Sequence, residues 1–364
     1  MEMNTPMKEI LAGLCASLIA AWSNVSVGRE SPIEASGIRT DFVCTQDKGP
    51  SVVPQDSDAQ RLFLYARHLE SLHEGDFITG NVDEINRLSR YYRIASAYGN
   101  ADATEALRAL QWRLIDDSYD GVVTEFRRNR QKETERLSTL LTQQYPSRGY
   151  LLEAAMYAQE WNLTEALTLY RKAADLGNAQ AQHRLAEYLD VNSIAMSKAF
   201  GAKAKDIAFA LPLYRCAAQQ GHGGAMYALA IKQAKDRHYA EAMAGFQQAI
   251  MMGETAAAAR LVDAFNEKAS GPETLGMKSD AARYERYEKI RIFLIDEQNF
   301  DPRVPELNQI VPLPPAALPE WDGTFQWKKE QLAPQEAPSE TLVGKMAKAK
   351  GLDPQTGLPK DAAP

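Results

Sequence analysis

The chain has 364 residues, 45% of them hydrophobic and 24% charged, with a formal net charge of −7. That length and apolar content suffice for one extended domain or two small ones. The acidic balance argues against nucleic acid and against an anionic membrane surface, both of which select basic faces, and it fits a protein partner better.

The first 23 residues read as an export signal. Lys8 supplies a weak basic start, residues 10–21 carry no charge, and Ala21-Trp22-Ser23 offers small residues at a cleavage site. Twelve such residues are too few to span a bilayer, which needs roughly 20. Leu14 is too large for a lipobox before Cys15, so a lipid anchor is not expected. The alternative to export is an N-terminal helix of a cytoplasmic protein. Residues 24–55 form an extended segment carrying Cys44.

A helical-hairpin repeat domain is expected over residues 56–298. Its first helix, residues 56–71, starts behind an N-cap at Asp56 or Ser57 and offers Leu62, Leu64, Tyr65 and Leu69 as apolar contacts. Beyond it, four segments share one template anchored on Gly99, Gly177, Gly221 and Gly253. Seven residues before each glycine stands an aromatic, Tyr92, Tyr170, Tyr214 or Phe246, and four before stands Ala95, Ala173, Ala217 or Ala249. Four residues after it come Ala103, Ala181, Ala225 or Ala257, and eight after it Leu107, Leu185, Leu229 or Leu261.

Offsets of three, four, seven and eleven place side chains on one helix face. A glycine can adopt the left-handed conformation that closes a helix. Each unit therefore reads as two helices joined at the glycine, with small residues allowing close approach and an aromatic filling the seam. One pair cannot bury that seam, so neighbours must stack into an α-solenoid. The fold class is all-α.

The glycines are 78, 44 and 32 residues apart. The 44-residue step contains an insertion around residues 191–205, and the 78-residue step contains an excursion from about residue 116 to 144. Its basic run, residues 127–136, is interleaved with acidic residues and flanked by Val122, Phe126, Leu137, Leu140 and Leu141. That pattern is the solvated face of an amphipathic helix rather than a nucleic-acid patch. Tyr145-Pro146-Ser147 ends it, and residues 149–160 open the next unit. A long helix over residues 280–297, bearing Tyr284, Tyr287, Ile290, Ile292 and Phe293, is expected to cap the stack.

From residue 299 to 336 six prolines between Pro302 and Pro319 exclude continuous helix. Val304, Leu307, Ile310, Val311, Leu313, Leu318, Trp321, Phe325 and Trp327 make this an extended segment that packs on the repeats. Residues 337–364 hold a short capped helix and a loose tail. With the signal removed, Cys44 and Cys216 remain; they form a disulfide in an oxidising compartment, or they are two unrelated cysteines, one in a loop and one in a helix.

The units at residues 166–177 (ALTLYRKAADLG), 213–225 (LYRCAAQQGHGGA) and 91–103 (YYRIASAYGNADA) resemble Sel-one-like repeats, relatives of tetratricopeptide repeats. Residues 41–44, 58–70, 304–327 and 351–359 further resemble a bacterial family with such repeats and a fixed C-terminal segment, over roughly residues 40–360. That family is similar to immunity proteins encoded beside type VI secretion effectors. The resemblance implies a periplasmic protein that occludes a phospholipase toxin, and it favours the Cys44–Cys216 bridge. One departure is that Trp161-Asn162 and Lys235-Asp236 stand where the repeat has a glycine-rich turn.

No catalytic, cofactor or metal site is expected. The five histidines form no ligand pair at helical spacing, no nucleophile elbow or phosphate loop occurs, and acidic pairs such as Asp116-Asp117 fit solvated helix faces. His222 reads as a helix start. Trp112, Trp161, Trp321 and Trp327 are expected to fill core or groove. A general envelope scaffold remains the alternative to toxin neutralisation; the sequence names neither partner-binding residues nor oligomeric state.

Overall fold

A computed structural model describes residues 41–50, 56–72, 82–116, 125–190, 207–333 and 335–360. The export signal, the insertion after residue 190 and the flanking Val122 lie outside them. The described residues hold fifteen α-helices and no strand, an all-α solenoid.

Twelve helices pair into six antiparallel hairpins: α1 (Ser57–Ser71) with α2 (Val82–Ala97), α3 (Ala101–Asp116) with α4 (Glu125–Gln144), and α5 (Pro146–Gln159) with α6 (Leu163–Asp175). The series continues with α7 (Ala179–Leu189) and α8 (Ile207–Gln219), α9 (Gly223–Lys235) and α10 (Tyr239–Met251), α11 (Thr255–Phe265) and α12 (Ala281–Asp296). Packing is more extensive within these pairs than across the glycines. The sequence reading is thus corrected by half a unit: the glycines are joints between hairpins, and the hairpin turns lie elsewhere.

Each joint has one construction. Gly99, Gly177, Gly221 and Gly253 have φ of +88°, +96°, +84° and +89°. That left-handed step turns the next N–H back onto the last helical turn. Asn100, Asn178, His222 and Glu254 accordingly donate to the carbonyls of Ala95, Ala173, Ala217 and Ala249 at 3.0–3.3 Å. The same four side chains then cap the following helix: Asn100 accepts from the N–H of Ala103, Asn178 from Ala181, His222 from Ala225 and Glu254 from Ala256.

A fifth joint is hidden in the sequence. Helix α4, within the 116–144 excursion, is the regular partner of α3, burying Leu137 and Leu141. Tyr145 then occupies the joint, Pro146 begins α5, and Gly149 stands four residues on, against Thr142 where no Cβ would fit.

The packing aromatics Tyr92, Tyr170, Tyr214 and Phe246 are buried, as are Ala95, Ala173, Ala217 and Ala249. Leu64 and Ile292 are not core residues: they are 47% and 46% exposed, because each lies on the face its helix turns away from its neighbours.

The C-terminal segment contains two short helices, α13 (Leu307–Ile310) and α14 (Gln326–Gln331), so it is not uniformly extended. It buries Val304, Leu307, Ile310, Val311 and Phe325 against α10–α12, with Phe325 stacked on Phe293 at 3.9 Å. Helix α15 (Glu340–Ala349) is capped by Ser339. It packs on α2 at the opposite end of the stack through Val343, Met346 and Ala347. The tail is held to residue 360 rather than loose: Leu352 pairs with Pro359, and Gly357 lies against the Arg90 carbonyl where a side chain would clash.

Candidate functional site

Three features of this frame have the chemistry of attachment or recognition. The first is the N-terminal strap. Residues 41–50 run across the joint edge of the stack, tied by a disulfide between Cys44 and Cys216 across 172 residues of sequence. Around it Thr45 O accepts from Gln182 and Gln220, the Asp47 N–H donates to Gln220, and Ser147 donates to Asp47. Gly177 serves twice here, since a Cβ would collide with the strap at Gln46 and Asp47. Gly253 is likewise crossed closely by Pro302 of the C-terminal segment.

The second feature is a stacked pair of imidazoles, His183 on α7 and His222 at the start of α9, 4.5 Å between centroids. Burial lowers both to about 4, reinforced for His222 by His183 and for both by Arg184. Both rings are thus neutral near pH 7, which leaves Nδ1 of His222 free to accept the helix-capping N–H. Nearby Glu254 is pushed up by burial. Among the described residues no group of three His, Cys, Asp or Glu could hold a metal ion.

The third is a groove of about 550 Å³ on the face of the odd-numbered helices. Its floor is apolar, Leu151, Leu152, Ala155 and Ala158 of α5, with Glu105 of α3 on one side and Tyr188 of α7 on the other. At its ends Arg148 pairs with Asp102 and with Glu105, and Arg184 with Glu187 at 2.9 Å. Trp112 lies two helical turns beyond Glu105, on the same face of α3.

The tryptophans divide. Trp327 packs T-shaped on Phe293 and Trp321 T-shaped on Phe325, as groove-filling residues do. Trp112 and Trp161 instead are 46% and 77% exposed, correcting the expectation that they fill core. Trp161 forms the turn between α5 and α6 at φ 60°, the left-handed region where a side chain is strained. Arg237 does the same between α9 and α10 at φ 64°. Trp161 projects from the turn that the repeat resemblance marks at Trp161-Asn162, whereas Trp112 projects outward from within α3, on a face that only the packing of neighbouring helices defines.

A domain of unknown function, DUF6396, matches residues 257–360, which span most of α11, all of α12 and the C-terminal segment. No curated protein matches the chain. Three solved structures from Pseudomonas aeruginosa are similar. PA5086 shares 24% identity over 75% of this chain and 95% of its own, with a TM-score of 0.56. Pa5087, described as an immunity protein, shares 23% over 76% and 95%, with a TM-score of 0.53. PA5088, also described as an immunity protein, shares 23% over 75% and 94%, with a TM-score of 0.51. At these identities the likeness establishes a common fold. Among the described residues no helix is long and apolar enough to cross a membrane.

Proposed function

We propose that the chain is an immunity protein that binds a secreted antibacterial toxin and blocks it by steric occlusion in the periplasm. One observation carries the reading: the shared fold extends over 95% of Pa5087 and 94% of PA5088, both described as immunity proteins. The likeness therefore spans nearly all of those two proteins and 75–76% of this chain. The Cys44–Cys216 bridge supports an oxidising compartment, as does the exportable stretch at residues 1–23. The finer assignment of the toxin as a type VI phospholipase rests on the C-terminal motifs at residues 304–327 and 351–359.

Occlusion asks only for a rigid surface covering the toxin's substrate entrance, an interface on the order of 1,600 Å², and no chemistry from the inhibitor. Co-expression is the test. A toxin encoded beside this gene, directed to the periplasm, should kill cells alone and spare them when the exported chain is present. Both proteins should elute as one complex. Continued killing despite stable periplasmic chain, with no complex formed, rejects the reading.

A further inference from the structure

Trp161 is costly to keep where it is. Its left-handed φ of 60° is one that glycine adopts freely, and with 77% of its surface exposed the indole gains almost no burial in return. Arg237, at the sister turn, shows that the turn tolerates a strained residue, but a long cation is at ease in water and an indole is not. Trp161 follows the groove floor directly, two residues beyond Gln159, which lines it. Trp112 shares a face of α3 with Glu105, which also lines the groove. Two exposed tryptophans, a residue type enriched at binding hot spots, thus stand on elements that line one apolar trough.

We propose that this face, Trp161 and Trp112 with the α5 groove between α3 and α7, is the surface that grips the toxin, and that the toxin surface seated on it is basic with an apolar projection. The assignment rests on the immunity reading. The groove supplies the apolar floor for the projection. The two guanidinium groups at the groove ends, Arg148 and Arg184, already face three carboxylates, Asp102, Glu105 and Glu187. Two cations against three carboxylates leave the groove ends with an excess of one negative charge, so an incoming lysine or arginine is favoured there over an incoming acid. The chain's net charge of −7 adds long-range attraction for such a face. Helices α3, α5 and α7 have 16, 14 and 11 residues, about 24, 21 and 17 Å at 1.5 Å per residue. A face of that length suits a standard interface, to which each partner contributes roughly 800 Å².

The decisive variant is Trp161→Gly, which removes the indole and the backbone strain together. A structural tryptophan would lower the melting temperature when lost; this one should leave it unchanged or raise it. Affinity for the toxin encoded by the adjacent gene should fall at least about 30-fold. Trp112→Ala should weaken binding in the same direction, while Arg237→Gly at the sister turn should stabilise without touching affinity. Raising salt from 50 to 500 mM should slow association. Tight, wild-type-like binding by Trp161→Gly overturns the proposed surface while leaving the immunity reading intact. Salt-insensitive association overturns the basic character of the partner. Self-association that the variant abolishes, with toxin binding unchanged, shows the face to be a contact between copies and also overturns it. If the wild-type chain neither binds nor protects, both readings fall together.

Discussion

At the scale of single residues, the four joint glycines look interchangeable in the sequence but are not so in space. All have positive φ, so alanine at any of them pays the left-handed penalty of about 1 kcal/mol. Gly221 has only Met252 Sδ nearby, 3.7 Å from where a Cβ would stand, whereas at Gly177 that Cβ would occupy the strap backbone. Gly221→Ala should therefore cost about 1 kcal/mol in urea denaturation, and Gly177→Ala clearly more. Gly177→Ala should also loosen the strap, seen as faster proteolysis near residue 46. Equal costs would mean the strap does not press on the joint. The sequence made these positions legible because a left-handed helix end almost requires glycine. At Trp161 and Arg237 strained residues stand in glycine's place, so those turns are marked only by the resemblance to the repeat, and the glycine template alone pairs the helices half a unit off.

Among whole elements, four of the five joints could be found by alignment on glycine, and the fifth could not. Tyr145 replaces the glycine and Leu141 the alanine, so the only trace left is Gly149 at the small-residue position. The strap was legible as an extended segment over residues 24–55 with a candidate Cys44–Cys216 bridge; its course along a joint edge was not, since it depends on which helix ends the stack brings together. Its contribution is testable. The bridge closes a loop of 172 residues, and removal of such a bridge typically costs about 2–5 kcal/mol. Cys44→Ser should lower the melting temperature, and reducing agent should do the same to the wild type but not to the variant. A variant as stable as the wild type would assign the strap's anchorage to its hydrogen bonds with Gln182, Gln220 and Ser147 alone.

For the whole molecule, the C-terminal segment links the last hairpin to the first. Lys328 pairs with Glu297, the residue that ends α12, His68 of α1 meets the Gln331 carbonyl at 3.1 Å, and Arg67 stacks on Phe300 at 5.0 Å. Arg90 of α2 then grips Glu340 through two bonds of 3.1 and 2.7 Å and the Pro354 carbonyl at 2.6 Å. Glu340 is largely exposed, which screens its share, so the buried guanidinium's bond to the carbonyl should dominate. Arg90→Ala should free α15 for limited proteolysis and lower stability by about 2 kcal/mol. Unaltered digestion within residues 335–360 would show that Val343, Met346 and Ala347 hold the helix unaided.

Open-ended solenoids can gain or lose a unit with little consequence, because each unit touches only its neighbours. Here the tether from α12 back to α2 has a fixed reach, and the arc it must subtend is set by six hairpins. Inserting or deleting one would carry the anchorage points on α1 and α2 away from their partners by about the 10 Å that separates packed helices. A structure that ties its own ends together thereby fixes its number of hairpins, and with it the curvature it can present to anything it embraces.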